Sequence, residues 1–157
     1  MPTIRLKTTI KAPIARVFDL CRSIDLHKIS MEHTNEEAIA GVTSGLIKMD
    51  ETVTWRAKHF GVYHILTSKI TAFRSPNYFA DEMEKGIFKR FKHEHILEEV
   101  EEGTLLIDVF DYESPLGILG KLADYLFLEE YMERFLEERN EIIKTYAESD
   151  QWKSILN

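Results

Sequence analysis

The sequence predicts an α+β fold in which an antiparallel sheet of six to seven strands is covered by one long C-terminal helix. Three observations carry that prediction. Residues Thr3–Ile10 alternate apolar and polar side chains, the period of two of a half-buried strand. Between Glu36 and Glu113 six more strand-like segments follow one another across short turns, which favours hairpins over parallel crossovers. Beyond Ser114 a single apolar stripe of helical period runs to the region of Tyr146.

In chain order, Ile4, Leu6, Thr8 and Ile10 form one face of the first strand, alternating with Arg5, Lys7 and Thr9. Lys11-Ala12-Pro13 ends it, and Pro13 is expected at the first position of a short helix reaching Cys21. The apolar positions Ile14, Val17, Phe18 and Cys21 have the i, i+3, i+4, i+7 spacing of a buried helical face. A second short helix is expected over Ile24–Met31, with Ser23 or Asp25 as its cap. The predicted strands are Glu36–Val42, Glu51–Lys58, Val62–Phe73, Tyr78–Glu84, Phe88–Glu99 and Thr104–Glu113. Turn residues separate them, among them Gly41 to Gly45, Gly61 (a tight turn or a bulge), Ser75-Pro76-Asn77, Lys85-Gly86 and Glu101-Glu102-Gly103. Ser114 and Pro115 are suited to N-cap and N1 of the long helix, whose stripe comprises Leu119, Leu122, Ala123, Leu126, Phe127, Phe135, Leu136, Ile142, Ile143 and Tyr146. One domain is expected over residues 1–149, with 150–157 as a tail that frays unless Trp152 pins it.

Composition bounds the function. The 157 residues include 20 Lys+Arg against 27 Asp+Glu, a net charge of −7, which argues against a nucleic-acid footprint. With 44% apolar and 30% charged residues the chain can bury a full core, and disorder is excluded. Cys21 is the single cysteine, so neither a disulfide framework nor a Cys-rich zinc site is available, and a cytoplasmic, reducing setting is expected. The most apolar run, Leu116–Leu128, is broken by Gly120, Lys121 and Asp124 and is too short to span a bilayer. Met1-Pro-Thr-Ile-Arg leads straight into the alternating strand and is not expected to act as a signal peptide. There is no phosphate-binding glycine loop and no nucleophile elbow.

This order of elements, with Trp55-Arg-Ala-Lys-His-Phe-Gly61, Asp81-Glu-Met83, Phe91-Lys-His-Glu-His95 and Ser114-Pro-Leu-Gly-Ile-Leu-Gly120, resembles the START-like superfamily, also called SRPBCC or Bet v 1-like. Within it the motifs look like a bacterial subgroup often labelled cell-division-inhibitor-like. The resemblance spans Ile4 to Tyr146 and implies a helix-grip fold with an internal cavity between sheet and helix. It further implies a small hydrophobic or amphipathic ligand, held by a carrier or sensor. The superfamily also contains cyclase/dehydratase-type enzymes and protein-interaction modules, so these stand as alternatives.

The candidate site residues follow from strand geometry. Phe91, His93, His95 and Leu97 share one face of their strand, and the apolar brackets place the two imidazoles inward. They are expected as hydrogen-bonded members of a polar layer or as an acid–base pair. No metal or other cofactor is expected: the i, i+2 spacing has no third ligand nearby in sequence, His64 lies on another strand, and no helix-borne histidine pair supports a metallohydrolase reading of His59, His64, His93 and His95. Asp108 shares a face with Leu106, Phe110 and Tyr112, but the opposite face is equally apolar, so its direction is open. If inward, it needs His93, His95 or an arginine as a partner. Phe79, Asp81 and Met83 are the favoured inward set of their strand. Arg139 falls on the apolar stripe of the helix and either snorkels to the edge or meets a carboxylate or ligand headgroup; Arg56, beside Trp55, poses the same choice. The aromatic candidates for cavity lining are Trp55, Phe91, Phe110, Tyr112, Phe127, Tyr131 and Phe135. The partner class is thus a small molecule; a protein partner on the long helix is the further alternative.

Overall fold

The computed structural model describes residues 2–114, 117, 119, 122 and 127–157. Seven strands, β1 (Thr3–Ile10), β2 (Glu37–Gly41), β3 (Thr52–His59), β4 (Val62–Arg74), β5 (Tyr78–Lys85), β6 (Arg90–Val100) and β7 (Gly103–Glu113), form one sheet. Its order is β1-β7-β6-β5-β4-β3-β2, with every neighbouring pair antiparallel. All strands except β1 are joined to their sequence neighbours as hairpins, as the short turns predict. Register shifts in β2 at Ala38/Ala40, and in β4 at Thr67/Ser68 and Ile70/Ala72, are bulges that bend the sheet around what it covers.

Between β1 and β2 lie α1 (Ile14–Cys21) and α2 (Ile24–Ser30). Pro13 is the extended N-cap of α1, one residue earlier than the sequence suggests: its φ of −60° suits a helix but its ψ of 144° does not. Ser23 caps α2, its hydroxyl accepting from Leu26 N at 3.1 Å, while the Asp25 carboxylate accepts from Gly45 N. The long helix α3 is described from Glu129 to Glu148, 20 residues and about 30 Å. The start expected at Ser114-Pro115 falls, beyond Ser114, largely outside the described residues. Leu136, Arg139, Asn140, Ile143 and Ala147 are its buried line. Leu119, Leu122 and Phe127, expected on the apolar stripe, are exposed. Helical period identifies a face, not how far the sheet extends beneath it.

After α3, a 3₁₀ turn (Asp150–Trp152) and α4 (Lys153–Leu156) turn back onto α1. The Arg16 guanidinium lies 4.3 Å over the Trp152 ring, and Ile155 and Leu156 pack on the main core cluster. That cluster gathers Ile10, Val17, Phe18, Leu20, Leu26, Leu97, Leu106 and Ile143 where α1 and α2 meet the sheet. A second cluster, Ile4, Phe91, Phe110, Tyr112 and Leu136, lies where β1, β6 and β7 face α3.

Two turns have specific backbone needs. Phe60 and Gly61 connect β3 to β4 as a two-residue loop with φ of 52° and 76°, so Gly61 serves a tight turn rather than a bulge. Gly103, between β6 and β7, has φ 143°, and a Cβ there would stand 2.4 Å from Ile10 O. Gly103→Ala is therefore expected to lower stability by about 1–3 kcal/mol, read as a reduced urea midpoint with unchanged m-value. An unaltered midpoint would show that the β1–β7 junction yields freely.

Candidate functional site

The interior between the sheet and α3 is not filled by side chains. A cavity of about 310 Å³ is lined by apolar and aromatic groups that include Trp55, Leu66, Phe91, Phe110, Tyr131 and Phe135. Against this apolar lining stands one polar wall, made by His93, His95, Asp81 and Arg139.

The wall follows from pleat and helix period. His93 and His95 are inward residues of β6 separated by one outward residue, so their rings lie side by side, tilted by 35° with 3.8 Å between centroids. The edge of His93 meets Phe110 at 5.4 Å, and His95 lies flat on Phe79 at 4.0 Å. Phe79 and Asp81 face inward on β5, where Asp81 is the register partner of His93. Asp108 is the register partner of His95 on β7, so it too faces inward, fully buried behind the imidazoles. Its partner is all three of the kinds the sequence offers. His93 Nε2 donates to Asp108 Oδ1 at 2.8 Å, His95 Nδ1 lies 3.4 Å from the same oxygen, and Arg139 Nη1 donates to it at 3.4 Å. Arg139, 4% exposed, thus reaches a carboxylate instead of snorkelling. Asn140 Nδ2 donates to Asp108 Oδ2 at 2.6 Å, and Arg139 Nη1 donates to Asn140 Oδ1 at 2.9 Å. Across the wall, His95 Nε2 donates to Asp81 Oδ1 at 3.0 Å.

The electrostatics match this geometry. Burial alone would raise the Asp108 pKa, but the hydrogen bond from His93, with the neighbouring His95 ring and the Arg139 charge, holds it well below the carboxylate range. Asp81 is likewise held low, burial being outweighed only by the His95 hydrogen bond acting together with the neighbouring His93, His95 and Arg139. Burial and the neighbouring His95 lower His93 to about 4, so at neutral pH it is an uncharged imidazole. The Cys21 thiol, buried behind Arg139, is raised to about 12 by burial and is inert as a nucleophile.

At the opposite end of the cavity, His59 Nδ1 and the Tyr131 hydroxyl share a hydrogen bond of 2.6 Å, and the Phe60 ring lies 4.7 Å from that of Tyr131. His64 lines the cavity here, 6.1 Å from His59 and apart from the polar wall. Asp81, His93 and His95 each bring a metal-capable atom within 4.8 Å of the others. Asp81, not His64, is therefore the group nearest to a third ligand.

Of the residues singled out from sequence, Trp55, His64, Asp81, Phe91, His93, His95, Phe110, Tyr131, Phe135 and Arg139 line the cavity. Asp108 and Tyr112 are buried behind it, and Met83 packs on the second core cluster. Phe127 is exposed, its ring 6.2 Å from Phe60 at the surface. Arg56 is exposed and pairs with Glu37 at 2.7 Å. Sequence reasoning missed Asn140, Phe88 and the His27–Glu36 pair beside Trp55. Asn140 had a legible signal: it stands four residues after Leu136 and three before Ile143, on the buried line.

No protein-family model and no curated protein matches the sequence. Solved structures do match. Protein TTHA0849 from Thermus thermophilus is 19% identical over 93% of this chain and 97% of its own, with a TM-score of 0.75. The ginseng major latex-like protein 151 from Panax ginseng is 18% identical over the same shares, with a TM-score of 0.69. Protein CV1439 from Chromobacterium violaceum is 12% identical over 94% of this chain and 99% of its own, again with a TM-score of 0.69. At these identities the likeness establishes the fold, the helix-grip architecture of Bet v 1-like proteins. Among the described residues no helix is long and apolar enough to cross a membrane.

Two outcomes follow from the wall. Arg139→Met leaves the buried Asp108 charge without its cation and is expected to destabilise by about 3–5 kcal/mol. Adding Asp108→Asn should recover part of that loss, and a double-mutant cycle with zero coupling would refute the pairing. The second concerns pH. His93 binds its proton at about 4 when folded against 6.5 as its ordinary value, so between those values the unfolded chain holds more protons. Stability should therefore fall as pH drops through that window, by about 3 kcal/mol from this group, and His93→Gln should flatten the slope. An identical slope in the variant would show that His93 is not its source.

Proposed function

We propose that the chain binds a small hydrophobic or amphipathic molecule in the cavity between sheet and α3, as a carrier or sensor of a reducing compartment. One observation carries the reading: a 310 Å³ space lined mainly by aromatic and aliphatic side chains, with a hydrogen-bonded cluster of Asp81, His93, His95 and Arg139 on one wall. An apolar body fits the lining, and a polar end meets the wall. The helix-grip fold, which in the resemblance drawn from sequence accommodates hydrophobic molecules, supports the same reading. An interaction module with a filled interior is disfavoured by the cavity itself.

A cyclase/dehydratase-type enzyme is the second reading. The observation favouring it is the pair of imidazole–carboxylate contacts, His93 with Asp108 and His95 with Asp81, facing a space where a reacting group would sit. The two readings separate on turnover. Native mass spectrometry of protein purified from its own host, followed by extraction, is expected to yield a retained small molecule of mainly apolar character. Neither a retained molecule nor any thermal shift across a lipid and aromatic-metabolite panel would refute the binding reading. If His95→Gln keeps affinity for the retained molecule but abolishes its conversion, the enzyme reading replaces the carrier.

A further inference from the structure

We infer that the polar wall selects its ligand through hydrogen-bond donors, a protonated amine above all, carried on an apolar body. This rests on the ligand-binding reading above and adds the chemistry of the head group. A buried arginine in an apolar cavity suggests a receptor for anions, but the pattern of used and unused atoms points the other way.

Four of the five N–H groups of Arg139, and the imidazole and amide hydrogens beside them, are spent inside the protein. Arg139 Nη1 donates to Asp108 Oδ1 at 3.4 Å and Asn140 Oδ1 at 2.9 Å. Its Nη2 lies 3.4 Å from the Cys21 carbonyl oxygen and 3.5 Å from His95 Nδ1. A guanidinium can only donate, so His95 Nδ1 accepts there, and the ring proton sits on Nε2, where it goes to Asp81 Oδ1. His93 places its own proton on Nε2, facing Asp108. Asn140 spends its amide hydrogens on Asp108 and Thr8.

What remain, beside the single Arg139 Nε–H, are acceptors. His93 Nδ1 and Asp81 Oδ2 make no hydrogen bond among the described residues, and both side chains line the cavity. His93 is more than nine-tenths buried, so only a ligand or trapped water can serve that nitrogen. The charge count agrees. Asp81 and Asp108 oppose one guanidinium, which leaves the wall one negative charge in excess when the imidazoles are neutral. The other charged groups of the lining are paired locally, Arg22 with Asp19 and Glu36 with His27. An ammonium offers three donors to the two open acceptors, meets the surplus charge, and lies among aromatic faces that attract cations. A hydroxyl serves one acceptor. A carboxylate brings no donor and is repelled by Asp81.

The test is isothermal titration of the full chain with four probes of one skeleton: phenylbutylamine, phenylbutanol, butylbenzene and phenylbutyrate. The amine is expected to bind tightest, the alcohol next, and the carboxylate weakest, with about tenfold or more between amine and carboxylate. In Asp81→Asn the amine should lose about tenfold while butylbenzene stays within about twofold, which shows the cavity intact. A carboxylate binding as tightly as the amine overturns the inference, as does an amine affinity untouched by Asp81→Asn. Butylbenzene matching the amine also overturns it, while leaving the ligand-binding reading in place. No probe binding at all overturns both. Zinc held by the wild-type chain and lost in His93→Gln, with no preference for the amine, assigns these groups to a metal instead.

Discussion

One buried carboxylate organises this molecule. Asp108 lies at the middle of β7 with no exposure, where an ionised group without partners would be untenable. Its partners come from two other elements, His93 from β6 and both Arg139 and Asn140 from α3. The hydrogen bonds that make its burial tolerable are therefore the ones that tie the helix to the sheet. They also fix which atoms of the imidazoles and the guanidinium are left for the cavity. Fold and site share one set of contacts, so a change at Asp108 alters docking and recognition together.

Around this point the apolar content is divided between two uses. Phe18, Leu20, Leu26 and Leu106 fill the space where α1 and α2 cross the sheet, and none is more than 1% exposed. Trp55, Phe91, Phe110 and Leu136 are nearly as buried, yet each turns one side to the cavity. Burial from solvent and close packing are thus different conditions in this interior. The bent sheet provides room, and α3 lies across it.

The architecture was legible because each of its parts has a local signature. Alternation in Thr3–Ile10, the turn residues between the later strands, and helical spacing near Leu136 and Ile143 are properties of short stretches. His93 and His95 could be placed inward because Phe91 and Leu97 bracket them on the same face. Asp108 could not, since both faces of β7 are apolar and only its pairing with β6 and β1 decides between them. Arg139 was visible as an anomaly on an apolar stripe, but its partner lies 31 positions away and is set by tertiary docking. Asn140 reads as part of the polar flank until one sees that Leu136 and Ile143 share its line. Phe127 and Tyr112 show the opposite limit. An aromatic ring in the right element says nothing of whether it ends at the surface, in the core or at a cavity wall.

The pairing of β1 with β7 joins residues about a hundred positions apart, Ile4 opposite Phe110 and Leu6 opposite Asp108. During synthesis the hairpins from β2 to β6 can form as they appear, but the first strand waits for the last. Even then Asp108 has no counter-charge until Arg139 follows on α3. The growing chain must hold its future polar wall open to water through most of its production. Enclosure of the cavity is accordingly a late event in the life of each molecule, tied to arrival of the helix.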